Sequence, residues 1–191
     1  MTNYEYPSAY IAFLVEFHAT RDYFECHELL EEYWKNNPED GLGDTWVGLI
    51  KVAVGSYHQR RGNLVGALKM LHQAITLLTE EAAAHVGLDG VKLRTLISAR
   101  IEAIEHHVPF TDMELPIRDR DLLKRCQVMS IKEGLVWSAP SSGKDQLLHR
   151  HTLRDRSAVI AARAAAARAK AARNGINGNS SNNSKNGDNG N

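Results

Sequence analysis

Tyr10, Phe13, Leu14 and Phe17 recur at three- and four-residue spacing, which predicts a first amphipathic helix led in by Pro7 and Ser8. Thr20-Arg21-Asp22 interrupts the pattern. Asp22 is a good N-cap residue, and Glu25 three positions on completes a capping box, so a second helix is expected from about Tyr23 to Lys35. Its apolar arc holds Tyr23, Cys26, Leu29, Leu30, Tyr33 and Trp34. A Gly/Asp/Pro-rich loop over 37–44 follows, with Asp44 or Thr45 expected to cap a third helix, WVGLIKVAVGSYHQRRG. This helix is apolar nearly all round, which places it at the centre. Gly62 stops it and Asn63 caps a fourth helix, expected from 64 to about 85 on the stripe Leu64, Ala67, Leu68, Leu71, Ile75 and Leu78. Asp89 caps a fifth, with Leu93, Leu96, Ile97, Ile101 and Ile104 facing inward and Pro109 beyond its end. Further on, a short helix near Asp119 to Gln127 is expected, and MSIKEGLVW reads as an extended flap.

These elements predict an all-α protein. They make a compact bundle of about five helices, built from two antiparallel hairpins plus a further helix, over residues 8–108. Residues 109–149 form a partly ordered extension, 150–173 a basic Ala/Arg-rich helix, and 174–191 a disordered Asn/Gly/Ser tail. An internal similarity supports the hairpins. RDYFECHELLEEYW (21–34) aligns without gaps to GNLVGALKMLHQAI (62–75) at an offset of 41, pairing Cys26 with Ala67, Leu30 with Leu71 and Trp34 with Ile75.

Composition changes the picture in one respect. The 191 residues carry no formal net charge, yet residues 1–149 hold 15 Lys+Arg against 21 Asp+Glu, and residues 150–191 hold 8 against 2. An acidic body thus carries a basic tail. Seven basic residues and one acidic residue between 150 and 173 suit salt-sensitive contacts with nucleic-acid phosphates, although no aromatic residue there offers base stacking. No run of about 18 apolar residues spans a membrane and no secretory signal is visible, so the expected compartment is the cytoplasm. The two cysteines, Cys26 and Cys126, form no CxxC pair, and Cys26 reads as a buried small hydrophobe.

The candidate chemistry lies on helices two and three. His27 falls inside the apolar arc of helix two, Glu31 stands one turn later at its edge, and Glu28 lies just beyond. The hairpins can bring His58 and Arg61 against them, giving a polar cluster of His27, Glu28, Glu31, His58 and Arg61. Such a set has a structural reading, a network that pins the hairpins in register. It also has chemical ones: a divalent-metal site using His27, Glu31 and His58, a carboxylate-oriented general base, or an anion site. HELLE resembles the zincin string H-E-x-x-H, but Glu31 stands where the second histidine belongs, which argues against a peptidase. His18, His72, His85, His106, His107, His149 and His151 read as surface or helix-end residues.

The residues Tyr23, Phe24, His27, Glu28, Glu31 and Trp34, followed by Trp46, Gly48, Leu49, Ile50, Ala53, His58, Gly62, Asn63, Gly66 and Ala67, resemble the family known as domain of unknown function 309. The match covers about residues 10–80. The resemblance implies a compact all-helical fold with no established biochemical activity, and it implies that the polar cluster is a family feature. The reading favoured is a scaffold or interaction module with a protein partner, no cofactor, a structural polar cluster and no catalysis. The alternatives are metal or small-ligand binding, extending to hydrolysis, at His27, Glu31 and His58, and nucleic-acid association through 150–173.

Overall fold

A computed structural model describes residues 5–141, so the expectations for 142–149, for the basic helix at 150–173 and for the tail at 174–191 lie outside the described residues. Seven α-helices and no strand occur among them: α1 (Ser8–Val15), α2 (Tyr23–Asn36), α3 (Gly43–Arg60), α4 (Leu64–Leu77), α5 (Glu80–His85), α6 (Gly90–Glu105) and α7 (Arg120–Lys132). Helices α1 and α2 form one hairpin and α3 and α4 the second. They join through α2 against α3, α6 covers α4 and α5, and α7 packs on α1. Trp46 of α3 is fully buried among Tyr10 and Tyr33, and its indole Nε1 donates to Asp40 at 2.7 Å. Cys26 and Cys126 are both buried thiols, and burial pushes their ionisation up, to about 12 for Cys126.

The internal similarity is a structural repeat. Helices α2 and α4 are both 14 residues long and begin and end 41 positions apart. Their N-caps have nearly the same backbone, φ −83° and ψ 77° at Asp22, φ −81° and ψ 74° at Asn63. Each cap side chain accepts from the N–H three residues on, Glu25 and Gly66, at 3.0 Å. The residue before each cap is left-handed, Arg21 at φ 59° and Gly62 at φ 77°. A glycine adopts this conformation freely; an arginine does so against the clash of its Cβ.

Four local expectations need correction. The fourth helix does not run to residue 85: it ends at Leu77, and Thr79 starts a new helix by accepting from the Ala82 N–H at 3.1 Å. The periodic stripe continues across the break because Leu78 still points inward, fully buried. Helix α3 begins earlier than expected, at Gly43, with Leu42 at its N-cap position and no side-chain cap, so Asp44 and Thr45 lie inside its first turn. Leu96 is 38% exposed, outside the buried row of Leu93, Ile97, Ile101 and Ile104. MSIK belongs to the last turn of α7 rather than to a flap. A Thr79→Ala protein is expected to lose about 1 kcal/mol of stability in denaturant unfolding.

Between α6 and α7 the chain runs back across the bundle. Leu88 and Ile117 make a single antiparallel bridge, and the Gly87 carbonyl accepts from the Arg118 and Asp119 N–H groups. Residues 117–119 are thereby tied to the turn between α5 and α6, while Met113 and Glu114 meet Arg21 at the turn between α1 and α2. After α7, residues 135–141 return to the same place, where the Ser141 N–H donates to Asp112 at 2.7 Å.

Candidate functional site

The Asp22 cap fixes the rotation of α2, and one turn of that helix then presents His27, Glu28 and Glu31 together. The imidazole Nδ1 lies 3.2 Å from Glu28 Oε1, and Nε2 lies 3.2 Å from Glu31 Oε2. Lys35 Nζ holds the other Glu31 oxygen at 2.8 Å. One ligand atom from each of the three residues lies within 4.8 Å of the others. All three side chains are half-buried, His27 at 28% exposure, so the turn is a rim feature and not the interior cluster expected from the helical wheel. A neutral imidazole has one N–H donor. It can satisfy one of the two carboxylates, which leaves the other nitrogen facing an oxygen lone pair to lone pair; a second proton or a cation removes that mismatch.

His58 and Arg61 are not part of this group. The rings of Phe24 and Tyr57, 6.0 Å apart, follow His27 toward His58. Arg61 lies over Tyr57 at 5.3 Å. His58 Nδ1 is instead 3.2 Å from Asn63 Nδ2. Burial and then the Arg61 charge hold the His58 imidazole below its ordinary range, which suits a neutral ring accepting from the amide. The remaining motif residues carry packing. Tyr23 and Trp46 are buried, Phe24 and Trp34 pack against the core, and a Cβ on Gly66 would meet Asn63 Nδ2 at 2.6 Å.

A second polar group was not foreseen. His18 is 2% exposed rather than on the surface. It sits in a π-helical turn, Glu16–Thr20, that follows α1 and buries the consecutive residues Phe17, His18 and Ala19. Its Nδ1 meets Glu114 Oε2 at 2.5 Å, and Trp137 stacks on the ring at 4.6 Å between centroids. Arg21, 1% exposed, donates Nη2 to the other Glu114 oxygen, Nη1 to the carbonyls of Phe17 and Met113, and Nε to that of Ala139. Arg60 in turn donates to the Arg21 carbonyl at 2.7 Å. Glu114 is half-exposed. Partial burial opposes its ionisation, but hydrogen bonds and charges from His18 and Arg21 prevail and lower its pKa to about 2. One signal in the sequence could have revealed this group, the arginine standing at the repeat position that Gly62 occupies.

The class defined by these features is a small all-helical bundle made of two repeated hairpins, with a histidine–carboxylate turn on its rim. The chain belongs to the family described as Domain of unknown function (DUF309), whose model matches residues 10–70. It is 44% identical over 161 residues to the Bacillus subtilis (strain 168) protein named "Uncharacterized protein YpuF", an alignment covering 83% of this chain and 92% of that relative. No solved structure matches the chain. Among the described residues no helix is long and apolar enough to cross a membrane.

Proposed function

We propose that the turn formed by His27, Glu28 and Glu31 binds a divalent metal ion. The observation that carries this reading is the convergence of one imidazole and two carboxylates within 4.8 Å on a half-buried helical face. The structural explanation for such a cluster is weak here. The ion pairs of His27 with Glu28 and Glu31, and of Glu31 with Lys35, run along one helix. Cross-element pinning is supplied elsewhere, by Arg21, His18 and Glu114. A mixed nitrogen and oxygen donor set suits first-row ions such as Zn²⁺, Mn²⁺ or Fe²⁺. Three protein ligands leave positions for water or a small ligand, which would make the ion accessible to chemistry. His58 serves this reading as a neighbour beyond the aromatic pair rather than as a ligand.

Tag-free protein stripped of metal and titrated with each ion tests the proposal. At an ion concentration about a hundredfold above Kd, binding should stabilise the fold by about 2.7 kcal/mol, which raises Tm by roughly 5–10 °C. The His27→Ala protein should show no such rise. An unchanged Tm in the parent protein, or the same rise in both, overturns the proposal.

Protein–protein interaction is the second reading. It is supported by the exposed Val65 and Val91 and by a groove between α4 and α6 lined by Ile75, Val91, Arg94 and Ala99.

A further inference from the structure

We propose that residues 135–141 act as a proton-operated strap, closed over His18 while the imidazole is neutral and released when it takes up a proton. The strap contains no helix. It lies over His18 and Arg21 by a few contacts: the Trp137 ring stacked on the imidazole with 13° between planes, the Ala139 carbonyl accepting from Arg21 Nε at 2.9 Å, and the Ser138 hydroxyl donating to Glu114 at 3.3 Å. At its centre Ser138 is held in a left-handed conformation, φ 58°, and Val136 beside Trp137 is 72% exposed. A serine at that φ is strained, so the closed strap depends on its contacts.

The two nitrogens of His18 have opposite situations. Nδ1 carries its proton, because the Glu114 carboxylate beside it can only accept. Nε2 is buried and has no hydrogen-bond partner among the described residues. As a bare lone pair it is tolerable. Once protonated it becomes a charged N–H with no acceptor among the described residues, a state that buried groups avoid. The nearest relief is solvent, and lifting Trp137 from the face of the ring opens a way to it. The charged groups facing the ring are Glu114, from the segment between α6 and α7, and Arg21, which reaches it through the same carboxylate. Trp137 and Ser138 of the strap and Phe17 of the π-turn bring no charge. A doubly protonated ring keeps its bond to Glu114 but has no partner for its second proton under the closed strap, and opening supplies one. Release also frees Arg21 Nε from Ala139, exposing an imidazole and a guanidinium side by side.

The test uses the full chain labelled with 5-fluorotryptophan, which gives three ¹⁹F signals from Trp34, Trp46 and Trp137. Trp137 is assigned by Trp137→Phe. On acidification from about pH 8 to about pH 5, the Trp137 signal should move to the solvent-exposed position while that of core Trp46 stays. Amide exchange over 135–141, corrected for intrinsic pH dependence, should rise about tenfold, the signature of local opening. His18→Phe keeps a ring beneath Trp137 and should abolish both changes. Should that protein fail to fold, Glu114→Gln keeps an acceptor but removes the charge, and should move the midpoint to lower pH by about one unit. The proposal is overturned by a static Trp137 signal, by joint movement of Trp46, by an unchanged response in His18→Phe, or by an unmoved midpoint in Glu114→Gln.

Discussion

Replacing Arg21 with alanine should destabilise the protein by about 3 kcal/mol, the low end for breaking a buried ion pair because half of Glu114 already meets water. The loss has several parts. Four hydrogen bonds disappear, and the carbonyls of Phe17 and Met113 lose a buried donor. The left-handed backbone of φ 59° is common to the parent and the alanine protein, so its strain is no part of that loss. Arg21→Gly separates these contributions. It loses the same bonds but relieves the backbone, and should be about 1 kcal/mol more stable than Arg21→Ala. Urea unfolding of the three proteins decides it; equal midpoints for alanine and glycine would show that the relief is no larger than the unfolded-state entropy that glycine adds. Acid adds an independent check. The carboxyl of Glu114 ionises near 2 in the fold against 4.5 ordinarily, so its contribution is complete above about 4.5 and is lost as pH falls toward 2. Stability should therefore decline across that interval in the parent protein, and decline less in Glu114→Gln.

Gly90→Ala should be comparably damaging, about 3 kcal/mol, from the opposite cause. Gly90 is the first residue of α6 and crosses the start of α5 in backbone contact. A Cβ built there would lie 2.6 Å from the Glu80 Cα and closer still to the Glu80 carbonyl oxygen. Neither is a flexible side-chain end, so one helix must move bodily. The movement would pull Asp89 from its cap on Lys92 and loosen Leu93 and Val86, both fully buried. Thermal unfolding with a Tm lowered by roughly 6–12 °C is the expected reading. A shift under about 2 °C would mean that α5 accommodates the methyl group by sliding.

The helices were legible where a cap and a periodic stripe agreed. Asp22, Asn63, Asp89 and Asp119 each begin a helix, and the offset of 41 between α2 and α4 can be read directly from the letters. The break at Leu78 was hidden, because a stripe reports which way a residue faces and not whether the backbone stays helical through it. The candidate site was half-legible for a similar reason. His27, Glu28 and Glu31 are neighbours within one helix, so their spacing fixes their meeting. Whether His58 joins them depends on how two helices pack, and the rings of Phe24 and Tyr57 fill that space. A regular helix through Phe17 would leave His18 at a helix end. The π-turn adds a residue to the register and turns a helix-end position inward. Glu114 and Trp137 lie 96 and 119 positions from His18 in the sequence, beyond any local pattern.

The first helix depends on distant parts of the chain. Tyr6 donates to Asp119, Tyr10 to the Val86 carbonyl, and Arg21, just beyond the helix, to that of Ala139. During synthesis these partners emerge late. At a synthesis rate of about 5–20 residues per second, Arg21 waits on the order of ten seconds for Ala139. Through most of that interval α1, which holds the fully buried Phe13 and Leu14, lacks the cover that α7 gives it. The nascent chain therefore presents a greasy N-terminal segment to the ribosome's surroundings for most of its own translation. A chain released before residue 137 would lack both the Ala139 acceptor for Arg21 and the Trp137 ring over His18.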